Sequence, residues 1–109
     1  MLESLLGNKT IEKTLFFLET YEQGYPKGIS KTFSIPVNGI QQQLKRLEDG
    51  GIVVSSIQGK TRLYKFNPRY PFLKELKLLL QKAMEFISEG ELEKYYRKRT
   101  RPRRKGKPS

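Results

Sequence analysis

Apolar positions in this chain recur first at helical spacing, then at strand spacing, then at helical spacing again, and the rhythm breaks at glycines and prolines. Between positions 35 and 51, Val37, Ile40, Leu44 and Leu47 are spaced three, four and three residues apart, one stripe of an α-helix. Upstream, Ile11, Thr14, Leu15 and Leu18 keep that rhythm, and Phe16 and Phe17 widen it. They predict a helix over 10–21, capped by Asn8 or Thr10 and ended by Gln23-Gly24. Leu2, Leu5 and Leu6 form an apolar lead-in that Gly7-Asn8 breaks. Residues 25–27 read as an extended connector with room for a minor edge strand, and 28–33 as a brief helix with Ile29 and Phe33 one turn apart. Pro36 suits the first turn of the helix that follows, where its missing N–H has no partner to lose.

Past Gly50-Gly51 the rhythm changes. Residues 52–57 are β-branched, Gln58-Gly59-Lys60 is a tight turn, and 61–66 alternates with Tyr64 and Phe66 on one face. This predicts a β-hairpin. Its register stays open, because a two- or a three-residue loop would set different residues opposite Tyr64. Pro71 is expected to open a long helix reaching about Ser88, with Phe72, Leu73, Leu76, Leu79, Leu80, Ala83, Phe86 and Ile87 apolar. These cover roughly 140–160° of the wheel, wider than the ~100° stripe of a single core contact. That width is expected of a helix packed on its own domain and on a second copy, with Phe72, Leu76, Leu79, Leu80, Ala83 and Ile87 as the dimer residues. Gly90 is expected to close the helix, and Leu92, Tyr95 and Tyr96 align on a short one beyond it. The expected division is a folded domain over 1–90 and an appendage over 91–109.

The 36–49 helix carries the chemistry. Opposite its apolar stripe lie Asn38, Gly39, Gln42 and Arg46, flanked by Gln41, Gln43 and Lys45; acids arrive only at Glu48 and Asp49. An ordinary solvated helix mixes Glu with Lys. Side-chain amides bond both donor and acceptor edges of bases, and Lys and Arg pair with phosphate or guanine. A short helix, a tight turn and this second helix are the parts of a helix-turn-helix, with the second as recognition helix.

Composition narrows the reading. The 109 residues contain no cysteine and no histidine, so thiolate and imidazole metal sites and most general acid–base chemistry lack their usual groups. Neither an enzyme nor a cofactor is expected. No apolar run of about 18 residues is present to span a membrane, and the first residues lack a basic signal-peptide segment. The expected location is the cytoplasm, at the nucleoid. The net charge is +11, yet residues 94–109 alone hold nine bases and no acid, which leaves the remainder at only +2. Residues 98–109 are expected to stay disordered without a partner, and the basic run is expected to contact nucleic acid through Arg97, Arg99, Arg101, Arg103 and Arg104.

Helix, short helix, recognition helix, basic hairpin and closing helix resemble a winged helix-turn-helix domain over about 7–88. The local wording resembles the ArsR-like branch of that superfamily, with MarR-like proteins close by. The resemblance is carried by Gly7-Asn8-Lys9-Thr10, by Ile29-Ser30-Lys31-Thr32-Phe33, by the helix end Leu44-Lys45-Arg46-Leu47-Glu48-Asp49-Gly50-Gly51, and by Arg62-x-Tyr64-x-x-Asn67 in the wing. It implies a mainly helical α+β fold with a two-stranded wing, and a double-stranded-DNA-binding transcriptional regulator, dimeric and repressing. It also implies base contacts from Val37, Asn38, Gln41 and Gln42, while Lys45 and Arg46 supply charge and Lys60 and Arg62 reach phosphates from the wing. The chain departs from the family pattern in lacking its cysteine and histidine metal ligands. Ser34 stands where the inter-helix turn usually has Gly, and Pro36 and Asn38 replace the usual Ser and Pro. Two rival readings use the same parts: a winged-helix RNA or ribosome partner, where basic tails are equally at home, and a protein-docking module.

Overall fold

The structure is a computed structural model and describes residues 1–96. The described elements are α1 (Glu3–Leu6), α2 (Lys9–Tyr21), β1 (Gln23–Gly24), α3 (Pro26–Phe33), α4 (Val37–Asp49), β2 (Val53–Gln58), β3 (Thr61–Phe66), α5 (Leu73–Met84) and α6 (Glu89–Tyr95). The three strands form one antiparallel sheet in the order β1-β3-β2. Helix α2 is the hub: Leu15 and Leu18 meet Ile29 of α3, Ile40 and Leu44 of α4, Val53 of β2 and Leu80 of α5 in one core cluster, all essentially closed to solvent.

Local chemistry explains the boundaries. The Asn8 side-chain oxygen accepts the Ile11 N–H at 2.8 Å, which makes Asn8 the cap of α2. The other end closes on Glu22, in the left-handed region at φ 72°, so Gly24 does not serve as the stop. Gly24 lies buried in β1, where a Cβ would stand 2.6 Å from Phe17 Cε1. Glycine there lets the strand pass close over α2. The edge strand therefore lies two residues earlier than the expected connector, and Pro26 is already the first residue of α3. Proline's fixed φ and missing N–H suit that position.

The wing turns through a two-residue loop, Gly59-Lys60, with Gly59 at φ +65°. A positive φ at the first central position is the type II′ pattern, which glycine accepts without strain. Val53 pairs with Phe66 and Ser55 with Tyr64, which settles the register. Asn67 clamps the base: its amide donates to the Gly51 carbonyl at 2.9 Å, and its side-chain oxygen accepts the Arg69 N–H at 3.0 Å.

The C-terminal part differs from expectation. Helix α5 stops at Met84, and α6 begins at Glu89 with Gly90 inside it. Ser88 caps α6 by accepting the Glu91 N–H at 3.2 Å. Ser88-x-x-Glu91 has capping-box spacing, a start signal that outweighs a single glycine. The division expected at 90 thus falls within a helix, and α6 belongs to the same core. Tyr96 packs edge-on against Phe16 with ring centroids 5.8 Å apart. Tyr21 donates its hydroxyl to the Tyr95 carbonyl at 2.9 Å.

The expected dimer stripe also divides. Leu80, Ala83 and Ile87 are enclosed in this chain's own core, Leu76 and Leu79 are half-buried, and Phe72 is exposed. Helix α5 turns Leu80 and Ala83 inward because it is tied along α2, where Glu19 takes Lys77 Nζ at 2.7 Å and Gln81 Nε2 at 2.8 Å; Ile87 follows in the link between α5 and α6. What remains outward is Phe72, Leu78 and Phe86, each more than half exposed.

Candidate nucleic-acid interface

The turn between α3 and α4 sets how the second helix is presented. Ser34 adopts the left-handed conformation (φ 57°, ψ 42°) that glycine reaches without strain. Its N–H bonds to the Ser30 carbonyl, and the Ile35 N–H reaches the same oxygen at 3.1 Å. The Ser30 hydroxyl closes the turn by donating to the Ile35 carbonyl. Ile29 and Phe33 then pack with Ile40 and Leu44 in the core, and α4 is held with its opposite side outward.

Along that side, Asn38, Gln41, Gln42, Lys45 and Arg46 are all exposed, and Val37 is half-buried at the first turn. At 100° per residue, Asn38 and Gln42 lie opposite the apolar stripe, with Lys45 on one flank. Lys45 pairs with Asp49 at 3.4 Å, so its charge is partly answered at the last turn. Arg46 leans to the other flank: its Nη1 would lie 2.8 Å from a Cβ placed on Gly7, beside the α1–α2 turn. Gln43, on the same flank, accepts from the Asn8 amide at 3.4 Å. Gln41 lies on the opposite flank, facing the wing across a cleft.

The wing is bracketed to α4. The Ser55 hydroxyl donates to Glu48 Oε2 at 2.7 Å and accepts from Arg62 Nη1 at 3.0 Å. Arg62 is thereby held along the hairpin instead of projecting freely from its tip, and Lys60 occupies the loop itself. Burial pushes the Tyr64 phenol above its ordinary range; Glu48 acts in the same direction, and Arg62 and Lys45 oppose it.

The cleft between wing and helices brings together residues that the sequence reading passed over. Tyr25 and Lys27, at the start of α3, and Ile57 of β2 line it with Gln41, Lys60 and Arg62. Tyr25 and Ile57 are 40% and 60% exposed, an unusual placement for an aromatic and a β-branched residue. Strand alternation puts Ile57 on the same face as Val53 and Ser55, but Val53 is buried in the core while Ile57, paired with Arg62 near the hairpin tip, lies beyond it and is exposed. Tyr25 and Lys27 carried no such signal, because they reach the cleft only through the fold. Arg97, Arg99, Arg101, Arg103 and Arg104 lie outside the described residues.

Helix-turn-helix, three-stranded sheet and two-stranded wing define a winged helix-turn-helix fold. Two solved structures share it. One is a mutant of Lactococcus lactis ZitR in apo form, with a TM-score of 0.56, 16% identity, and coverage of 84% of this chain and 76% of that one. The other is a MarR-family transcriptional regulator from Rhodococcus sp. RHA1, with a TM-score of 0.54, 16% identity, and coverage of 84% and 71%. No family profile and no curated protein matches the chain. Among the described residues, no helix is long and apolar enough to cross a membrane.

Proposed function

We propose that this chain is a sequence-specific double-stranded-DNA-binding transcriptional regulator, not an enzyme, that lays α4 in the major groove and its wing on the flanking phosphates. The observation that carries the reading is the exposed face of α4. Asn38, Gln41 and Gln42 stand outward on the first two turns of α4 with no acid among them, beside a wing that bears Lys60 and Arg62. Amide side chains read base edges in the major groove, and cations beside them neutralise phosphate. A MarR-family regulator shares the fold, and the wording of the helix end and the wing resembles the ArsR-like branch; a chain without cysteine or histidine acts there without that branch's usual metal ligands.

The regulator works as a dimer on a two-fold operator and represses by occupying it, as the resemblance implies. Phe72, Leu78 and Phe86 are apolar and more than half exposed, and they supply the surface for the second copy. Double-stranded DNA is the partner in the cytoplasm, and the basic run after Tyr96 adds sequence-independent attraction.

Selection of bound duplexes from a random pool, followed by titration of a Gln42→Ala variant, tests the reading. One sequence should emerge, and the variant should lose about 1–3 kcal/mol on it and little on random duplex. Equal losses on both duplexes would assign Gln42 to the backbone. Tighter binding to structured RNA than to any duplex would overturn the function.

A further inference from the structure

The cleft beside α4 has a composition that phosphate contact alone does not call for. Its rim is cationic: Lys27 from the start of α3 on one side, and Lys60 and Arg62 from the wing on the other. The same lining includes two large apolar groups open to solvent, the Tyr25 ring and the Ile57 side chain. The inner wall includes Tyr64, which is 8% exposed. Its hydroxyl has no hydrogen-bond partner among the described residues, and burial keeps the phenol protonated, able to donate. Among the described residues, no acid lines the cleft. Ile57 and Arg62 face each other across the hairpin, so an apolar and a cationic group share one level of the wing.

We propose that this cleft seats the sugar–phosphate backbone of one strand of duplex DNA, with Tyr25 and Ile57 packed against deoxyribose and Lys27 and Tyr64 donating to phosphate oxygens. The inference rests on the proposed DNA-binding function and adds to it a contact that is apolar and blind to sequence. The geometry supports this occupant because a helix in one groove and a wing in the next must straddle the strand that separates them. That strand joins anionic phosphates to an apolar sugar face, as the cleft joins cations to apolar side chains. Uniform positive charge would suit phosphate alone, and an uncharged apolar cleft would suit neither.

The test is fluorescence anisotropy of the full chain on a random-sequence duplex of about 30 base pairs, roughly three helical turns, and on its single strand, across several salt concentrations. Tyr25, Lys27 and Ile57 are exposed, so their variants keep the core intact; circular dichroism checks this. Tyr25→Ala and Ile57→Ala should each weaken duplex binding roughly five- to tenfold, by loss of apolar contact, with an unchanged salt slope. Tyr25→Phe should bind as the parent does. Lys27→Ala should lower the slope by about 0.9. Parent-like binding by both alanine variants would overturn the inference while leaving the function standing. So would a preference for single strand that disappears with Tyr25→Ala, which would mark base stacking instead. A parent that binds no duplex overturns the function and the inference together.

Discussion

Removing the Ser55 hydroxyl should detach the wing from α4. That one oxygen donates to Glu48 at 2.7 Å and accepts from Arg62 at 3.0 Å, so Ser55→Ala breaks two charge-assisted bonds at once. Such bonds contribute about 1.5–3 kcal/mol each where water is excluded. Here Arg62 is exposed, and Ser55 and Glu48 are only half-buried; water replaces much of what is lost, and the net is about 1 kcal/mol. For a domain of this size that lowers Tm by roughly 4–8 °C. Thermal and urea unfolding of the parent, Ser55→Ala, Glu48→Ala and the double variant should give a coupling of about 0.5–1.5 kcal/mol. Duplex affinity should fall a few-fold on every sequence, with the salt slope unchanged because no charge is removed. Additivity within about 0.3 kcal/mol would show that Ser55 and Glu48 are merely adjacent, and the bracket between wing and α4 would have to be abandoned.

Three further outcomes follow from particular positions. Ser34→Gly should stabilise the fold by about 0.5–1 kcal/mol, since glycine accepts the left-handed turn without the Cβ conflict, offset by its freer unfolded chain; chemical denaturation measures it, and a loss would mean that the Ser34 side chain itself holds the turn. Leu78→Lys with Phe86→Lys should leave a folded chain that sediments as a monomer, whereas Leu80→Lys, at a fully buried position, should prevent folding; a double variant that stays dimeric moves the interface elsewhere. Burial holds the Tyr96 phenol well above its ordinary range, with Glu91 and Glu12 acting in the same direction. Its contribution is therefore complete below about pH 10 and lost as pH rises beyond it. Tyr96→Phe should flatten that alkaline loss in pH-dependent unfolding, and an unaltered alkaline limb would assign the loss to other groups.

Periodicity was sufficient for the succession of elements and for the outward side of α4. Val37, Ile40, Leu44 and Leu47 leave only one face for solvent, whatever the helix packs on, and the amides and bases on that face were legible for the same reason. The hairpin was equally legible from its alternation and its Gly59 turn. Helix ends were less so: Gly24 and Gly90 looked like stops, yet one is a close-approach strand position and the other lies inside a capped helix. A glycine permits several backbone roles, and its neighbours in space or a competing cap decide among them.

Pairings between distant segments had no one-dimensional trace. The hairpin register depended on loop length, and with it the placing of Ser55 beside Arg62 and Glu48. The breadth of the 71–88 stripe could not say which residues the chain would keep for itself; packing of α5 along α2 put Leu80 and Ala83 in the core, with Ile87 beyond the helix end, and left Leu78 and Phe86 outside. Tyr25, Lys27 and Ile57 meet in one cleft only because β1 pairs with β3 and draws the start of α3 toward the wing. A sequence specifies which face of an element is apolar through its own period, but which faces meet is settled by packing among all the elements at once.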